Sequence, residues 1–502
     1  MAGIIFTVGL FTKTILSYLL SSLTLVSLVV TVIIKMCKAK ELKMFKVLSI
    51  IVAFLISSLT TFGYVYSYQN KTEYEGEYIV TGYLAETVTY SANDNVVITL
   101  ENCTIVSVED DKVYNPNGFI KFYLNAGSGH SFNADLGTKL EIYASLSKPD
   151  IVGDGKFNAY AINKNISAYG FGYEDDVTIL KGNNLNIFDK IKIKTKQTLD
   201  TYLSKDYSSL AYTMLFGDKS GLDQDISLNY SASGIGHLLA VSGLHVGFVV
   251  TILSLILKLF KASRKTRFIV ITSLLFVYVI LCEFTVSVVR AFIMTAVGLY
   301  FKMRLRRSDG LSALALAGVV ILLINPLELY NVGFRLSFGA VAGILLFATP
   351  FEKLFNKAFY EGFAKTLSVA CAVQLGTIPF MIVSFQKLSI FSVVTNLIAI
   401  PIASVAYMLL FAFLVISFVV PPLGMFTYLF EVIMKVVTAI SSFTGALSFA
   451  NVNQVVLIAF GISVIAVGFC CSNYISFNKR ARKICVSVSS VVCICLFIAM
   501  FL

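Results

Sequence analysis

The feature that most constrains this chain is a series of long apolar runs that recurs from one end to the other. Of its 502 residues, 57% are apolar and only 14% are charged, whereas soluble globular proteins carry about 25% charged residues. A run of roughly 18 or more apolar residues is long enough to cross a bilayer as a helix. The sequence therefore predicts a polytopic α-helical membrane protein with about 12 spans, some of them broken or re-entrant.

Basic clusters between these runs predict the orientation of the spans, because Lys and Arg are retained on the cytoplasmic side. The predicted spans are 14–34, 47–66, 231–257, 268–284, 285–301, 311–325, 336–350, 366–385, 390–419, 423–447, 454–471 and 484–502. This set places Lys258–Arg267, Lys302–Arg307, Lys353–Lys365 and Lys479–Lys483 in the cytoplasm and the amino terminus outside. The predicted spans 311–325 and 336–350 are short for a hydrocarbon core of about 30 Å, so we expect them to be broken or re-entrant.

A polar insert interrupts the apolar pattern. Residues 67–190 hold 9 Lys and Arg against 17 Asp and Glu, although the whole chain has a net charge of +11. Alternating apolar and polar residues in EYIVTGYL, NVVITLENCTIVSV, FIKFYL and KLEIYASL indicate short strands. The domains predicted are two amino-terminal spans (1–66), a small all-β extracytoplasmic domain (67–187), amphipathic interfacial helices (188–230) and a transmembrane domain (231–502). Lysines at the start of the third segment suit anionic lipid headgroups and DNA equally well.

The segment 231–250, SASGIGHLLAVSGLHVGFVV, combines small residues with two of the three histidines of the chain. On a continuous helix one face would hold the small residues, which favours close packing against another helix; they are Gly236, Ala240, Gly243 and Gly247. His237 and His245 lie off that face. Polar residues inside membrane segments often serve function, but tight packing with satisfied histidines explains the pattern as well.

Ser242 and His245 also raise the possibility of an intramembrane hydrolase. The sequence SGLH does not match G-x-S-x-G, and no carboxylate lies nearby in sequence to orient the histidine. Asp218, Asp223 and Asp225 could serve only through folding. We therefore predict no catalytic residue.

Arg290 and Arg335 lie in apolar surroundings, where a charge facing lipid would cost several kcal/mol. Each should therefore face a cavity or a partner, and Glu283 is the nearest acidic candidate for Arg290 in sequence. One interpretation is a structural pair inside the helix bundle. The other is a positive lining for the route of an anion.

Polar side chains and prolines coincide at three places: Asn325 with Pro326, Gln374 with Pro379, and Asn396 with Pro401. Broken backbone inside a membrane is tolerated only where protein or water satisfies it. Three such breaks favour a transport path, although packing kinks would give the same pattern.

Several motifs are absent from the sequence. There is no G-x-x-x-x-G-K-[ST] and no histidine-rich metal cluster, so neither a P-loop motor nor a two-metal nuclease is expected. We predict no cofactor and no bound metal.

The stretch LFGDKSGL…GIGHLLAVSGLHVG resembles the signature of the ComEC family, the inner-membrane channel of bacterial natural transformation. The resemblance continues through SVVRAFIM, INPLELYNVGFRLSF and QLGTIPF…NLIAIPI, and the insert segments GTKLEIYASLSKP and GKFNAYAINKNI are similar to the end of that family's OB-like domain. It covers most of the chain. The motif positions that it transfers are Asp218, His237, Ser242, Gly243, His245, Arg290, Asn325, Pro326, Arg335, Gln374, Asn396 and Pro401.

The resemblance implies a channel that conducts single-stranded DNA across the bacterial cytoplasmic membrane. It also implies a separate helicase-like ATPase in the cytoplasm and an extracellular DNA receptor. Many family members carry a carboxy-terminal metallo-β-lactamase-like domain that this sequence does not contain, so either a separate protein supplies the nuclease or the other strand is handled elsewhere. OB-folds bind single strands with basic grooves and stacked aromatics; the insert is acidic but rich in tyrosine, including Tyr74, Tyr78, Tyr83 and Tyr90.

The rival interpretations are a small-molecule or polysaccharide permease, the Ser242/His245 hydrolase, and a scaffold without a pore. The channel interpretation expects Arg290, Arg335 and both intramembrane imidazoles to line a solvent-accessible path.

Overall fold

The structure is a computed structural model, and it describes most of the chain between residues 57 and 451. The described residues are 57, 59–63, 65–68, 74–90, 95–125, 132, 134–149, 152–153, 156–157, 159–385, 387–388, 391–417, 424–446 and 450–451. The predicted spans 14–34, 454–471 and 484–502, and much of 47–66, lie outside them. The chain divides into two compact units, one of residues 1–190 and 320–331 and one of residues 191–319 and 332–502.

The first unit contains a small β-barrel. The described strands of this unit are β1 (Gly76–Leu84), β2 (Thr89–Tyr90), β3 (Val96–Ser107), β4 (Val113–Tyr114), β5 (Phe119–Asn125), β6 (Thr138–Ser147), β7 (Val152–Gly153), β8 (Lys156–Phe157), β9 (Ile166–Tyr173) and β10 (Val177–Asn183). Strands β7 and β8 pair only with each other, outside the barrel sheet. Five of the other strands pair in the order β1, β3, β5, β9, β6, and β1 also pairs with β6, which closes the barrel. Only β5 and β9 of this ring are parallel. The predicted small all-β domain is confirmed.

Alternation along each strand decides which side chains fill the barrel. In β5, Ile120, Phe122 and Leu124 are buried, whereas the residues between them are partly exposed. This follows from the two-residue period of a strand, which sends successive side chains to opposite faces. A Cβ on Gly170 of the neighbouring strand would collide with the ring of Phe122, so glycine makes room for that ring.

A second, smaller cluster in this unit joins distant parts of the chain. The short helix α1 (Ala159–Asn163) buries Ala161 and Ile162 together with Leu327, which belongs to a 3₁₀ helix at Pro326–Tyr330. The Tyr68 hydroxyl donates to the carbonyl oxygen of Ile166 at 2.7 Å.

The remaining described helices follow from residue 187 onward. They are α2 (Ile187–Tyr202), α3 (Lys205–Phe216), α4 (Gln224–Ala232), α5 (Gly243–Leu259), α6 (Arg264–Leu281), α7 (Val286–Met303), α8 (Gly310–Ile324), α9 (Val332–Phe355), α10 (Glu361–Phe385), α11 (Ser392–Ser417) and α12 (Met425–Ala446), with a 3₁₀ helix at Gly236–Leu239. The two-residue strands Lys387–Leu388 and Ala450–Asn451 pair with each other.

Five helices of the described part are long and apolar enough to cross a membrane: α7, α9, α10, α11 and α12. Helices α5 and α8 are apolar but shorter. The prediction that the span at 336–350 is short is wrong, because α9 extends it to 24 residues. Helix α8 has 15 residues, as the sequence suggested.

Two of the three predicted helix breaks are also wrong. Pro379 lies inside α10 and Pro401 inside α11, and both helices continue through them. Neighbouring groups can satisfy the carbonyl that a proline frees in such helices. Only at Asn325 and Pro326 does the chain leave one helix and begin another.

Helices α9 and α10 pack through glycines. A Cβ on Gly339 would lie 2.6 Å from the carbonyl oxygen of Gly376, and one on Gly343 would lie 2.9 Å from the Cα of Gly376. Gly339 and Gly343 have the small-xxx-small spacing that allows two backbones to approach closely.

Candidate functional site

The most unusual local structure in the second unit is the interruption between residues 239 and 243. The 3₁₀ helix Gly236–Leu239 ends, Ala240 is extended, and α5 begins at Gly243. Ser242 caps α5: its Oγ accepts the Leu244 N–H at 3.2 Å, and His245 Nδ1 accepts the Ser242 N–H at 3.1 Å. This is a capping box in which an imidazole takes the place of the usual Glu or Gln. The sequence SGLH therefore encodes a helix start.

The prediction of one continuous helix over 231–257 is wrong for the same reason. Gly236 and Ala240 precede the interruption and Gly247 follows it, so the small residues do not share one helical face. A Cβ on Gly247 would meet nothing within 4 Å. Gly243 is the member of the set that packs closely against another helix, as described below.

His245 is 1% exposed and stacks on Tyr407 of α11, with ring centroids 4.3 Å apart and an interplanar angle of 26°. The Tyr407 and Tyr278 hydroxyls are 3.1 Å apart, and the Tyr278 hydroxyl donates to the carbonyl oxygen of Leu215 at 2.9 Å. These contacts connect the start of α5 to α11, α6 and the end of α3. Since buried polar groups are costly unless bonded, the chain of contacts explains how an imidazole is retained here.

Arg290 of α7 lies beside the start of α5. It is 5% exposed, and its Nη1 donates a short hydrogen bond to the carbonyl oxygen of Ser337 in α9. A Cβ on Gly243 would lie 2.7 Å from Arg290 Nη2. Among the described residues, Arg290 Nε has no hydrogen-bond partner. The guanidinium therefore joins three helices through neutral contacts.

Glu283 is not the partner of Arg290. It accepts from Lys192 Nζ at 2.5 Å, and the Glu283 side chain is 62% exposed whereas that of Lys192 is 10% exposed. Glu283 and Phe284 both have positive φ, at 52° and 53°, because the chain turns sharply between α6 and α7. That turn carries the carboxylate away from Arg290 and toward α2.

Asp218 lies in the loop after α3, next to the same interruption. Gly217 ends α3 with φ of 84°, and a Cβ there would lie 3.5 Å from Val241 Cγ2. The Asp218 carboxylate accepts the Ser220 N–H at 2.9 Å and so shapes its own loop. His237, in the 3₁₀ helix, is exposed.

The other predicted positions of this unit lie on separate helices. Arg335 is half-buried in the first turns of α9, Gln374 is half-buried in α10, and Pro401 is exposed in α11. The Asn396 Oδ1 atom is buried and has no hydrogen-bond partner among the described residues. The structure thus brings together Ser242, Gly243, His245 and Arg290. Arg290 and His245 are buried, which differs from the expectation that they line an open path.

Asn325 and Pro326 belong to the first unit. Asn325 Oδ1 accepts the Leu327 N–H at 3.1 Å, and its Nδ2 donates to Asn163 Oδ1 at 2.8 Å. Pro326 occupies the first position of the 3₁₀ helix, where its missing N–H costs nothing. The Asn-Pro pair therefore caps a helix.

The barrel carries an exposed surface that combines a lysine with aromatic rings, here named the barrel platform: Lys121, Tyr123, Tyr160, Tyr169 and Phe171. Lys121 Nζ donates to the Tyr160 hydroxyl at 3.1 Å and lies 5.6 Å from the Tyr123 ring centroid. Tyr123 and Phe171 stack at 6.0 Å with an interplanar angle of 19°. Tyr160 and Phe171 are each 50% exposed.

Lys121 remains protonated, and so positively charged, in this setting. Partial burial alone would lower the pKa of its ammonium group, but the hydrogen bond to Tyr160 and the neighbouring hydroxyls and Glu86 raise that pKa above its ordinary value. A charged lysine among exposed rings suits an anionic ligand with stackable groups. Of the tyrosines named from the sequence, Tyr74 is instead 5% exposed and packs in the barrel core.

Sequence reasoning missed Tyr278, Tyr407 and the barrel platform. The tyrosines lie in apolar stretches without any local signal, and their contacts join residues 129 and 63 positions apart. Gly339 and Gly343 did carry a signal, the small-xxx-small spacing. No group of three or more His, Cys, Asp or Glu side chains able to hold a metal ion occurs in the described part of the chain.

Comparison with known proteins gives a family match over the helical part. Residues 214–473 match the family model described as Competence protein. ComE operon protein 3 of Bacillus subtilis (strain 168) is 29% identical over 202 residues, which are 40% of this chain and 25% of that protein. Recombination protein 2 of Haemophilus influenzae is 28% identical over 232 residues, 43% of this chain and 29% of the relative.

An uncharacterized protein of Aquifex aeolicus (strain VF5) is 31% identical over 208 residues, which are 41% of this chain and 46% of that protein. The chain thus matches between about a quarter and about a half of the length of these three relatives. No solved structure matches it.

Proposed function

This chain belongs to the Competence protein family, and from that premise we propose that it acts in DNA uptake during natural transformation, as a membrane channel for single-stranded DNA. The role is conduction rather than catalysis. The two relatives that carry descriptive names are a ComE operon protein and a recombination protein, and DNA uptake is compatible with both names.

One observation carries the proposal. The matched range, residues 214–473, contains all five described helices that are long and apolar enough to cross a membrane. The family likeness therefore lies in the membrane part. We propose about 12 spans in the bacterial cytoplasmic membrane, counting the predicted spans outside the described residues.

The physics of DNA entry explains which partners are needed. Moving one negative charge into an electrically negative cell costs roughly 2.3 kcal/mol per 100 mV, and each nucleotide carries one such charge. We therefore propose that a separate cytoplasmic helicase-like ATPase pulls the strand. An extracellular receptor would deliver the DNA, and a separate nuclease would degrade the other strand.

We propose that the barrel is an OB-fold on the outer side of the membrane and binds the strand before entry. The closed ring of five strands with one parallel pair supports this assignment. Two platform residues, Lys121 and Tyr123, lie on β5, and strand faces of this kind hold single strands by stacking. Because the insert is acidic overall, stacking rather than net charge would supply most of the affinity.

The buried state of Arg290 and His245 constrains the mechanism. Neither side chain lines an open path in this arrangement, since both are at most 5% exposed. Conduction therefore requires helices α5, α7 and α9 to separate around them. The alternative of a Ser242/His245 hydrolase gains nothing from the geometry, because Nδ1 accepts a backbone N–H and Ser242 Oγ accepts another.

The test is deletion of this gene in a transformable host supplied with labelled duplex DNA. We expect DNA to bind the cell surface as before, while its conversion to a nuclease-resistant internal form is abolished. Re-expression of the full chain should restore that conversion. Internalisation at the normal rate in the deletion strain would contradict the proposal.

A further inference from the structure

Arg290 carries a positive charge that no carboxylate neutralises among the described residues. It is 5% exposed, its Nη1 is bonded to a neutral carbonyl, and its Nε lacks a partner. The nearest acidic residue in sequence, Glu283, is paired with Lys192. Burying an uncompensated guanidinium is costly, and an anion beside it would relieve that cost.

The start of helix α5 adds a second positive element at the same place. The first N–H groups of a helix have no intrahelical partner, and the helix dipole places partial positive charge there. Helix α5 has 17 residues; the Ser242 side chain accepts the N–H groups of Leu244 and His245, and His245 Nδ1 accepts the Ser242 N–H. The Gly243 N–H has no partner among the described residues.

Glycine at 243 brings these two elements together. A Cβ at that position would lie 2.7 Å from Arg290 Nη2, so the guanidinium packs directly against the glycine and any larger residue would displace it from the helix start. The turn itself is partly exposed. Ser242 and Gly243 are half-buried, and Leu244 is 38% exposed.

We propose that the turn Ser242–Leu244 and Arg290 form a binding site for one phosphate group. The Gly243 N–H and the helix dipole would hold one oxygen, as at other helix starts that bind phosphate. Arg290 would hold a second oxygen, because a guanidinium forms strong charge-assisted hydrogen bonds with phosphate. The identification of this group as a phosphodiester of the transported strand rests on the proposed function; the site itself does not.

Binding there would also change the helix contacts. The Arg290 guanidinium holds the Ser337 carbonyl of α9 in this structure. A phosphate at the turn competes for the same guanidinium and loosens the contact between α7 and α9. The site would thus couple the arrival of a phosphate to the separation of helices that conduction requires.

The experiment uses the full chain purified into nanodiscs of phosphatidylcholine. The thermal midpoint, followed by circular dichroism because the chain has no Trp, is measured in sodium phosphate and in sodium chloride at equal ionic strength and pH. We expect saturating phosphate to raise the midpoint by about 2–4 °C relative to chloride. A short oligothymidylate should give the same shift at lower concentration.

Three variants locate the effect. Arg290→Gln should weaken phosphate binding by about 10- to 100-fold, the result of losing a charged hydrogen-bond partner. Gly243→Ala should weaken it about tenfold, because its Cβ would displace Arg290 Nη2 from the helix start. Gly247→Ala is the matched control, since its Cβ meets nothing within 4 Å, and it should bind phosphate like the wild type.

An equal midpoint in phosphate and chloride for the wild type would overturn the site. So would an unchanged shift in Gly243→Ala, which decides the matter even if Arg290→Gln fails to fold. Nanodiscs of phosphatidylglycerol distinguish the source of the phosphate: an Arg290-dependent rise there, without one from oligothymidylate, supports the site but assigns it to a lipid headgroup. Because the deletion assay measures uptake alone, failure of the site and failure of the channel give different results.

Discussion

The two units both contain basic side chains at a candidate site, but in opposite surroundings. In the barrel, Lys121 lies among Tyr123, Tyr160 and Phe171 on a surface where the last two are each 50% exposed. In the helical unit, Arg290 and His245 are at most 5% exposed and are held by backbone and ring contacts. The first arrangement is open to a ligand, and the second is part of the packing.

The difference arises from the elements that carry the residues. A strand of a small barrel sends every second side chain outward, so Lys121 and Tyr123 on β5 are exposed together. A helix packed on several sides leaves a polar side chain only protein partners. The barrel therefore offers binding without rearrangement, whereas the helical site must open first.

The largest expected effect is on stability, and it comes from truncating a buried ring of the helical unit. Tyr407→Ala should lower the free energy of unfolding by about 3–5 kcal/mol, the usual cost of truncating a buried aromatic residue. Tyr407 is 1% exposed, stacks on His245 and contacts the Tyr278 hydroxyl. Chemical denaturation of the purified full chain measures the change.

Phe171→Ala is the matched variant in the barrel. Because half of the Phe171 side chain is exposed, its truncation should change stability by no more than about 0.5–1 kcal/mol. If both variants lost the same stability, the contrast between an open and a packed site would be wrong.

The next effect concerns binding by the barrel. Phe171→Ala in the full chain should weaken binding of single-stranded oligothymidylate by about 5- to 150-fold, since stacking of one base contributes roughly 1–3 kcal/mol. Fluorescence anisotropy of a labelled oligonucleotide measures this. Ile179→Ala removes another exposed apolar side chain, 55% exposed on β10, and should leave the affinity unchanged. Equal loss in both variants would show that the barrel platform is not the binding surface.

The barrel was predictable from sequence because its signals are local. Alternation in FIKFYL specifies which residues of β5 face inward, and turn residues separate the strands. Which tyrosines become exposed was not predictable, since Tyr74 packs in the core whereas Tyr160 depends on the position of a short helix. Exposure follows from tertiary contacts that no sequence window contains.

The helical site was only partly predictable. The sequence places Ser242 and His245 close together, but the spacing of small residues around them predicts a continuous helix rather than the capping box that the structure shows. The pairing of Arg290 with Ser337 joins residues 47 positions apart through a backbone carbonyl, and any residue type could supply that carbonyl. Pro379 and Pro401 predict breaks, but both prolines lie inside helices that continue past them.

The smallest expected effect concerns a carboxylate of the barrel, and it tests whether Glu101 lacks the stabilising partners that buried polar groups have in the helical unit. Burial raises the pKa of Glu101 on β3 above its ordinary value of 4.5, and the negative charge of Asp189 raises it further. The folded state therefore disfavours the ionised form. Well below pH 4.5 the residue is protonated both folded and unfolded and costs nothing. As the pH rises from 4.5 to the folded pKa the unfolded chain ionises first, so stability falls, and the full penalty is present above the folded pKa.

Glu101→Gln should consequently raise the thermal midpoint at pH 7–8, by under about 2 °C, and match the wild type near pH 4. Midpoints of the two proteins measured across that range give the difference directly. A gain of equal size at every pH would mean that charge is not its cause, and a loss at neutral pH would mean that the Glu101 carboxylate is stabilised by its surroundings. In the second case Glu101 would resemble the buried polar groups of the helical site, which are stabilised by specific hydrogen-bond partners.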